Sequence, residues 1–356
     1  MLAVVPFQVV HLGGAPGEIG LTLGVFALSA MVGRPFVGVL LDRERHRALL
    51  VGGGTVFATA SFLYIAADTI GALIAVRAFH GIGMALTATT VPLLADRLAP
   101  PGRRGEAIAL QYSAQVLAGG VAPAIGYALA QSAGPSAVFA WSGALGTLGA
   151  IVAARIAVPR RDRGTEASDP PVRGPLPWDR SAVPVGALLG VAQIGYGAVT
   201  SFVPIQAGVA GLQNAGLYFT AFSAAMIAGQ IAGGRASDRF GRVWVIAPGL
   251  ALGGLGVLLT PFLPEWSLLF GAALFGLGLG SSTTALFAAA VDRAAPGRAG
   301  VAMGTAGVLL ELGIGGGSIA TGAVSQFAGL PTAFFLAGIT GLIGAAVAPL
   351  ALRRRR

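Results

Sequence analysis

The stretch that decides the fold is AGGRASDRFGRV, residues 232 to 243, a short run of charge inside an otherwise apolar sequence. Before it, residues 181 to 234 contain no Asp, Glu or Lys and no Arg, and residues 243 to 264 contain none either. A helix that crosses the hydrocarbon core of a bilayer needs roughly 20 apolar residues, so both runs are long enough. A charged turn between two such runs is typical of a loop that joins transmembrane helices.

Composition extends this interpretation to the whole chain. Of its 356 residues, 55% are hydrophobic and only 10% are charged, and the mean hydropathy is +0.79. Soluble domains carry about 25% charged residues, which excludes that class. A transmembrane barrel needs alternating apolar and polar residues, a pattern that the sequence lacks. We therefore predict an all-α integral membrane protein, and the absence of cysteine excludes disulfides and thiolate metal sites.

The distribution of arginine predicts the topology. Arginines outside the predicted spans occur only in even-numbered connections and in the C-terminal tail, whereas the odd-numbered connections carry only the acids Glu18, Asp68 and Glu265. The positive-inside rule then places the even connections and the C-terminus in the cytoplasm, and we expect a multi-pass protein of a bacterial cytoplasmic membrane. The predicted membrane helices are 1–11 (incomplete), 16–41, 48–67, 70–96, 106–131, 136–158, 181–206, 215–236, 243–263, 267–290, 299–325 and 331–352.

The charged turn occurs twice at one fixed spacing. GVLLDRERHR at 38 to 47 aligns with GRASDRFGRV at 234 to 243, and DRLAP at 96 to 100 aligns with DRAAP at 292 to 296, each pair 196 residues apart. A constant offset indicates two copies of a six-helix unit in the same orientation, which is a transporter architecture. The predicted parts are an N-terminal six-helix bundle (1–158), a cytoplasmic linker (159–180), a C-terminal six-helix bundle (181–352) and a basic cytoplasmic tail (353–356).

The start of the sequence also aligns with the second copy. VPFQ at 5 to 8 matches VPIQ at 203 to 206, at an offset of 198. The seventh helix is predicted to begin near Ser181, so the matching start of the first helix would fall before Met1. We expect the native protein to carry about 20 more N-terminal residues, enough to complete the truncated first span.

Three motifs resemble those of the major facilitator superfamily. The Gly-x-x-x-Asp-Arg-x-Gly-Arg loop is similar to the family's signature between the second and third helices of each half. RAFHGIG at 77 to 83 is similar to its Arg-x-x-x-Gly motif, and GGVAPAIG at 119 to 126 resembles the Gly/Pro motif of its drug and metabolite exporters, a sugar efflux-like proton antiporter branch. Arg45, His46 and Ala122 depart from these patterns. The resemblance implies alternating access without a cofactor.

The paired loops predict a conformational latch at the cytoplasmic face. Carboxylates and guanidinium groups at helix ends can pair in one conformation and separate in the other, and a carboxylate is also favoured near a helix N-terminus. The alternative is that Asp-Arg only marks a solvated loop. The predicted latch residues are Gly38, Asp42, Arg43, Asp96, Arg97, Gly234, Asp238, Arg239, Gly241, Arg242, Asp292 and Arg293.

Polar side chains within the spans predict a pathway for substrate and protons, since such residues normally face a cavity or a partner. Glu311 is an acid about 18 Å into its helix, where burial disfavours the carboxylate and a nearby arginine or water favours it. A permanently neutral acid, or simple hydrogen bonds between helices, is the alternative. The predicted pathway residues are Arg77, His80, Gln111, Gln115, Gln193, Tyr196 and Glu311, and the predicted helix-packing residues are Gly81, Gly119, Gly120, Pro123 and Gly126.

The leading functional prediction is a secondary active transporter that exports a small solute in exchange for protons. The alternatives are a proton symporter or facilitator for a sugar or organic acid, and a non-transporting membrane sensor. The glycine-rich stretches lack the Lys-Ser/Thr of a phosphate-binding loop and no catalytic motif occurs, so an enzyme is not predicted. The expected partners are a small-molecule substrate, protons and membrane lipid, with no nucleic acid, cofactor or metal, and we expect a monomer.

Overall fold

A computed structural model describes residues 4–42, 45–100, 103–156, 178–295 and 298–352, so residues 159–177 of the predicted linker and the 353–356 tail lie outside it. These ranges form twelve α-helices, and short 3-10 segments follow α3 (Tyr64–Ala66) and α9 (Thr260–Phe262). The helices are α1 Val5–His11, α2 Pro16–Asp42, α3 His46–Leu63, α4 Ile70–Leu98, α5 Arg104–Ala133, α6 Pro135–Arg155, α7 Val183–Val209, α8 Gly216–Phe240, α9 Val243–Leu259, α10 Ser267–Arg293, α11 Ala299–Ala328 and α12 Leu330–Ala351.

The apolar runs form the membrane helices that the sequence predicts. Eleven of the described helices are long and apolar enough to cross a membrane, which confirms the all-α membrane fold, and α1 is a short helix of 7 residues. The largest differences are of four residues: α3 and α9 end early, where 3-10 segments follow, and α8 continues past the predicted end at 236 to Phe240. It ends there because Gly241 adopts φ +96°, a left-handed conformation in which glycine commonly terminates a helix.

The two halves repeat the same pattern of helix pairs. In the N-terminal half α2 packs against α4, and α3 packs against both α4 and α6. The C-terminal half repeats this with α8 against α10, and with α9 against both α10 and α12. Each pair follows from its counterpart by adding six to the helix number, as a parallel repeat requires.

The halves meet mainly through two helix pairs, α2 with α11 and α5 with α8, and through smaller contacts of α1 and α2 with α7. The α2–α11 contact is close because glycines line it. A Cβ on Gly20 would lie 2.4 Å from the Ser318 carbonyl oxygen, and a Cβ on Gly24 would lie 2.7 Å from that of Gly315. Small residues that let backbones touch are the usual means of helix association in a membrane. These glycines therefore fix the register of α2 against α11.

On α5 and α8 the described contacts between the halves lie toward the odd-numbered connections, whereas the α2–α11 contact continues from Gly17 to Arg34. In the described part of the chain, their mutual hydrogen bonds join residues 120–131 of α5 to residues 213–220 and residue 34 of α2 to residue 311. Toward its other end, α5 is exposed on almost every side, including Tyr112, Gln115 and Leu117. A helix exposed all round has no partner across the interface, so a cleft opens between the halves toward the even-numbered connections.

Candidate functional site

An ion pair joins the two halves within the membrane-spanning region. Arg34 of α2 donates a hydrogen bond from Nη2 to Oε1 of Glu311 on α11. The Glu311 side chain is only 8% exposed, whereas 28% of the Arg34 side chain is exposed. Arg34 is the functional residue that the sequence analysis missed. Its signal was an arginine well inside a predicted span, where a guanidinium normally needs a partner or a cavity.

The packing of α2 against α11 brings Arg34 and Glu311 together. Arg34 lies at the end of the α2–α11 contact, where its Nη1 is 3.8 Å from the position that a Cβ on Gly307 would take. A lone charge at this depth is costly, and an opposite charge compensates it. Removing one partner of a buried ion pair typically destabilises a protein by about 3–5 kcal/mol. Loss of either partner would therefore leave a costly unpaired charge between the halves.

Two predicted pathway residues of α7 lie on the C-terminal side of the site. Tyr196 lies on α7, which packs against the helix of Glu311, and its ring packs against Phe222 of α8 with centroids 5.8 Å apart. Gln193, one turn before Tyr196, is buried, and its Oε1 has no hydrogen-bond partner among the described residues. The structure thus brings Tyr196 and Glu311 together with Arg34.

Arg77 and His80 form a separate cluster within the N-terminal half. Arg77 is 3% exposed, and its guanidinium lies 5.1 Å from the centre of the Phe26 ring. Its Nε and Nη2 atoms have no hydrogen-bond partner in the described part of the protein. The His80 Nδ1 is 3.2 Å from the Tyr64 hydroxyl, and the rings of Phe26 and Phe57 meet the imidazole edge-on. Aromatic rings therefore surround this cationic cluster.

The two glutamines of α5 lie along the cleft rather than at the ion pair. Gln115 is exposed, in the part of α5 that has no partner across the interface. Gln111 is half-buried, and its Oε1 has no hydrogen-bond partner among the described residues. A solute in the cleft can therefore reach Gln115, whereas Gln111 is accessible only in part. Neither glutamine bonds to Glu311.

The predicted packing residues differ in their surroundings. A Cβ on Gly81 would lie 2.4 Å from the Phe26 carbonyl oxygen of α2, and a Cβ on Gly120 would lie 2.7 Å from the Ser223 Cβ of α8. Pro123 and Gly126 are buried, and Pro123 lies at the close contact with Gly216. Gly119 faces open space, because it lies where α5 leaves the interface.

The second charged turn forms a connected cluster around Arg242. Its Nη1 donates to Asp238 Oδ1 at 2.6 Å and to Ser237 Oγ at 2.9 Å, and its Nε donates to Asp292 Oδ2 at 2.9 Å. The hydrogen bond to Asp292 is the main reason why the pKa of Arg242 lies above its ordinary value. Because Gly241 turns the chain at this point, Arg242 ties the ends of α8 and α10 to the start of α9.

The remaining latch residues of this half lie outside that cluster. Arg239 is exposed, and its guanidinium lies 5.4 Å from the ring centre of Phe240. A Cβ on Gly234 would lie 3.7 Å from Thr284 Cγ2 of α10, which is an ordinary contact distance. The Arg293 guanidinium donates to the Ala351 carbonyl oxygen of α12 at 3.4 and 3.5 Å. In the N-terminal half Arg97 is half-buried, while Arg43 and the side chains of Asp42 and Asp96, with Gly38, lie outside the described residues.

The end of the predicted linker is anchored, which the sequence analysis did not anticipate. Asp179 Oδ1 accepts hydrogen bonds from the Ser181 backbone nitrogen at 2.9 Å and from Ser181 Oγ at 2.6 Å. The Asp179 backbone nitrogen donates to Thr305 Oγ1 of α11 at 2.9 Å, and Ser181 Oγ donates to the Arg293 carbonyl oxygen at 3.1 Å. Residues 179–181 thereby connect the start of α7 with α10 and α11.

This anchor gives a pH-dependent prediction. The hydrogen bond from the Ser181 hydroxyl is the main cause that holds the pKa of Asp179 below its ordinary value of 3.8. A lowered pKa in the folded state stabilises the fold above the unfolded-state pKa, and this stabilisation is lost as the pH falls through the folded-state value. We expect Asp179→Asn to cost about 1 kcal/mol at neutral pH, or about 2–4 °C in the unfolding midpoint.

The measurement is thermal unfolding in detergent at neutral and strongly acidic pH. The lower unfolding midpoint of Asp179→Asn should return to the wild-type value at strongly acidic pH, where the wild-type carboxyl is also neutral. Asp68→Asn is the matched control, since Asp68 is exposed in a connection at the other end of the molecule. An equal deficit at every pH would mean that the shape of the side chain, rather than its charge, is what matters.

The described residues offer no obvious place for a metal ion. No group of three or more His, Cys, Asp or Glu side chains in these ranges could hold one. The chemistry available at the ion pair is instead a change of charge, because Glu311 can exchange a proton while Arg34 remains a guanidinium.

Comparison with known proteins defines the class and then the family. The parallel repeat, the eleven candidate spans and the site between the halves describe a membrane transporter rather than an enzyme. The profile of the Major Facilitator Superfamily matches residues 1–213 and residues 185–356. The chain belongs to the Major Facilitator Superfamily.

Relatives are found in bacteria and archaea. The chain is 34% identical over 141 residues to an uncharacterized MFS-type transporter of Methanocaldococcus jannaschii, a match that covers 40% of this chain and 36% of the relative. A Pseudomonas aeruginosa relative is 30% identical over 173 residues, with 48% and 43% covered. In both cases the match spans less than half of the relative. An uncharacterized MFS-type transporter of Burkholderia mallei is 25% identical over 365 residues, covering 99% of this chain and 88% of the relative.

Solved structures share the fold at low sequence identity. A bacterial homolog of the human lysosomal transporter Spinster, in an inward-facing and unoccupied conformation, superposes with a TM-score of 0.82 at 18% identity, covering 99% of this chain and 92% of that one. The nucleoside transporter NupG superposes with a TM-score of 0.77 at 11% identity, covering 99% and 95%. At these identities the likeness concerns the fold alone.

Proposed function

We propose that this chain is a proton-coupled secondary transporter that moves a small solute by alternating access. The observation that carries the proposal is the Arg34–Glu311 ion pair, which joins the two halves where their contact ends. Rocking of one half against the other changes the distance between these side chains. Protonation of Glu311 removes one of the two charges, and so couples the link to the proton gradient.

The sidedness follows from the arginines. With the even-numbered connections in the cytoplasm, as the positive-inside rule requires, the C-terminus is cytoplasmic and the cleft opens inward. The arrangement described above is then the inward-open state of a cytoplasmic-membrane transporter. The contacts of α2 with α11 and of α5 with α8 close the outer side in this state.

Two modes of coupling have support. Export by exchange with protons is supported by the likeness of residues 119–126 to the Gly/Pro motif of exporters. Symport is favoured by the ion pair itself, because protonation of Glu311 frees the guanidinium of Arg34 to bind a solute at the same time. In that mode the proton and the solute travel in the same direction.

Reconstitution with an imposed pH gradient tests both modes. Purified protein in liposomes is screened for uptake of anionic, neutral and cationic metabolites and drugs, with the gradient in either direction and with none. Accumulation on the side from which protons flow indicates exchange, and accumulation on the side to which they flow indicates symport. A protein that equilibrates a solute without responding to either gradient would be a facilitator, and the coupling proposal would be wrong.

We further propose that the cluster around Arg242 serves as the latch in the C-terminal half. Its residues lie at the ends of α8 and α10 and at the start of α9, so it holds three helices together in one conformation and separates in the other. The side chains are partly exposed, at 28% for Arg242, 75% for Asp238 and 45% for Asp292. Exposed pairs are weak, at about 0–1 kcal/mol each.

Arg242→Ala is therefore expected to destabilise the protein by about 1 kcal/mol, a decrease of about 2–4 °C in the unfolding midpoint, and to slow transport more than it weakens substrate binding. Distance measurements between spin labels across the cleft should show a changed balance of states. Arg235→Ala is the control, because Arg235 is exposed in the same segment. A larger effect of Arg239→Ala than of Arg242→Ala would contradict the assignment.

A further inference from the structure

Positive charges outnumber negative charges deep in the described spans. Away from the helix ends, these spans contain the two arginines Arg34 and Arg77 but only one acid, Glu311. The acid is bonded to Arg34, and Arg77 makes no ion pair with a described residue. The interior is therefore positive by one charge when Glu311 is ionised and by two when it is protonated. Fixed charge of one sign in a cleft attracts solutes of the opposite sign.

The guanidinium of Arg34 has unused capacity to bind an anion. A guanidinium carries five N–H donors and binds a carboxylate best through two parallel hydrogen bonds. Arg34 makes a single hydrogen bond to Glu311, through Nη2, and its Nε is buried without a partner among the described residues. Its side chain is nevertheless 28% exposed, so it lies at the border between the closed contact and the cleft.

Few other titratable groups face Glu311. On the helices packed against α11, these are Arg34 of α2 and Tyr196 of α7. Helix α12 contains no titratable residue, and α10 contains only Asp292 and Arg293, at its end. The described residues therefore give Glu311 one charged partner, Arg34.

We propose that the transported solute is a small organic anion, whose carboxylate binds Arg34 in place of Glu311. This rests on the proposed function and names its substrate class. A proton from the water of the cleft neutralises Glu311, the ion pair loses its attraction, and the guanidinium binds the carboxylate of the solute. Arg34 stays charged and the solute stays ionised, so one proton and one monoanion cross together and no net charge moves. A cationic solute would instead have to displace Arg34 from Glu311.

The test measures binding without any pH gradient, in purified full-length protein. The probes are two matched pairs at constant ionic strength: benzoate with benzyl alcohol, and gluconate with glucose, each read as a shift in thermal unfolding. Glu311→Gln removes the internal competitor, so we expect it to bind at least one anionic probe about tenfold more tightly than the wild type does at neutral pH. Wild-type affinity for that probe should increase as the pH is lowered.

The controls separate the possible causes. Arg34→Gln/Glu311→Gln should lose the preference for the anion, while Arg155→Gln in the Glu311→Gln background should keep it, because Arg155 is exposed at the end of α6. Equal responses to the charged and neutral members of both pairs in Glu311→Gln, or no response to either anion, would overturn the proposal. The proposal would also be overturned if the wild-type protein bound benzylamine and Glu311→Gln abolished that binding. Anion binding as described, without gradient-driven transport in liposomes, would refute the proposed coupling and leave the substrate class standing.

Discussion

Replacing Glu311 with glutamine is expected to reduce proton-driven transport to the level of empty liposomes, while exchange of substrate across the membrane continues. Glutamine has nearly the shape of glutamate and still offers an oxygen to Arg34, but it cannot take up a proton. The site at position 311 then stays neutral in both conformations. The solute can still be carried, but the pH gradient no longer biases its direction.

The experiment compares gradient-driven uptake with counterflow of the substrate found in the liposome screen. Glu311→Asp is the first control, since it retains a carboxyl group that titrates. Glu265→Gln is the second, because Glu265 is an exposed acid in an odd-numbered connection. Full gradient-driven uptake by Glu311→Gln would leave this acid with a packing role. Loss of counterflow as well would indicate a defect in binding or folding rather than in coupling.

The repeat counterpart of Glu311 is a glutamine in a different environment. Gln115, at the repeat offset of 196, is exposed, whereas Glu311 is buried and paired with Arg34. The two halves therefore share a scaffold and differ at the titrating residue. This asymmetry agrees with Arg77, whose counterpart at the same offset is the apolar Ala273.

The features that the sequence predicted well are those that depend on local chemistry. A run of apolar residues must form a backbone-satisfied helix in a bilayer, so the spans at α7 and α12 could be placed within a few residues. The repeat offset predicted equivalent helices, and the observed pairs α2–α4 and α8–α10 agree with it. Neither inference needed a tertiary contact.

The ion pair could not be predicted, because it depends on tertiary register. Arg34 and Glu311 are separated by 277 positions in the chain, and they meet only because Gly20 and Gly24 hold α2 against α11 at one particular offset. No pattern within either helix contains that information. An arginine within a span was nevertheless a visible sign that some acid or cavity should lie nearby.

The pairing of Arg242 rather than Arg239 with the acids of the charged turn has a similar origin. Arg239 and Arg242 are equivalent candidates in the sequence, but α8 continues through Phe240 and leaves Arg239 exposed on its surface. The left-handed turn at Gly241 then brings Arg242 back toward Asp238 and Asp292. Which arginine pairs is therefore decided by the position of the helix end, a property that sequence patterns fix only to within a few residues.

The other large expected effect concerns Arg34. Arg34→Ala leaves the Glu311 carboxylate almost completely buried and without its cation, which should destabilise the protein by about 3–5 kcal/mol. A second change, Glu311→Gln, removes the charge that lost its partner, so the double variant should recover most of that stability. The coupling between the side chains is the change in unfolding free energy of the double variant minus the sum of the changes in the two single variants.

Unfolding in mixed micelles, followed by tryptophan fluorescence, measures this cycle at neutral and at acidic pH. The coupling should be about 2 kcal/mol or more at neutral pH and should shrink at acidic pH, because a protonated Glu311 no longer needs a cation beside it. Arg34→Lys, which keeps the charge, should lower the free energy of unfolding much less than Arg34→Ala does. Arg155→Ala should leave it almost unchanged. Additive effects at both pH values would mean that the two halves are held by the backbone contacts of α2 and α11 alone, and protonation of Glu311 could then not release one half from the other.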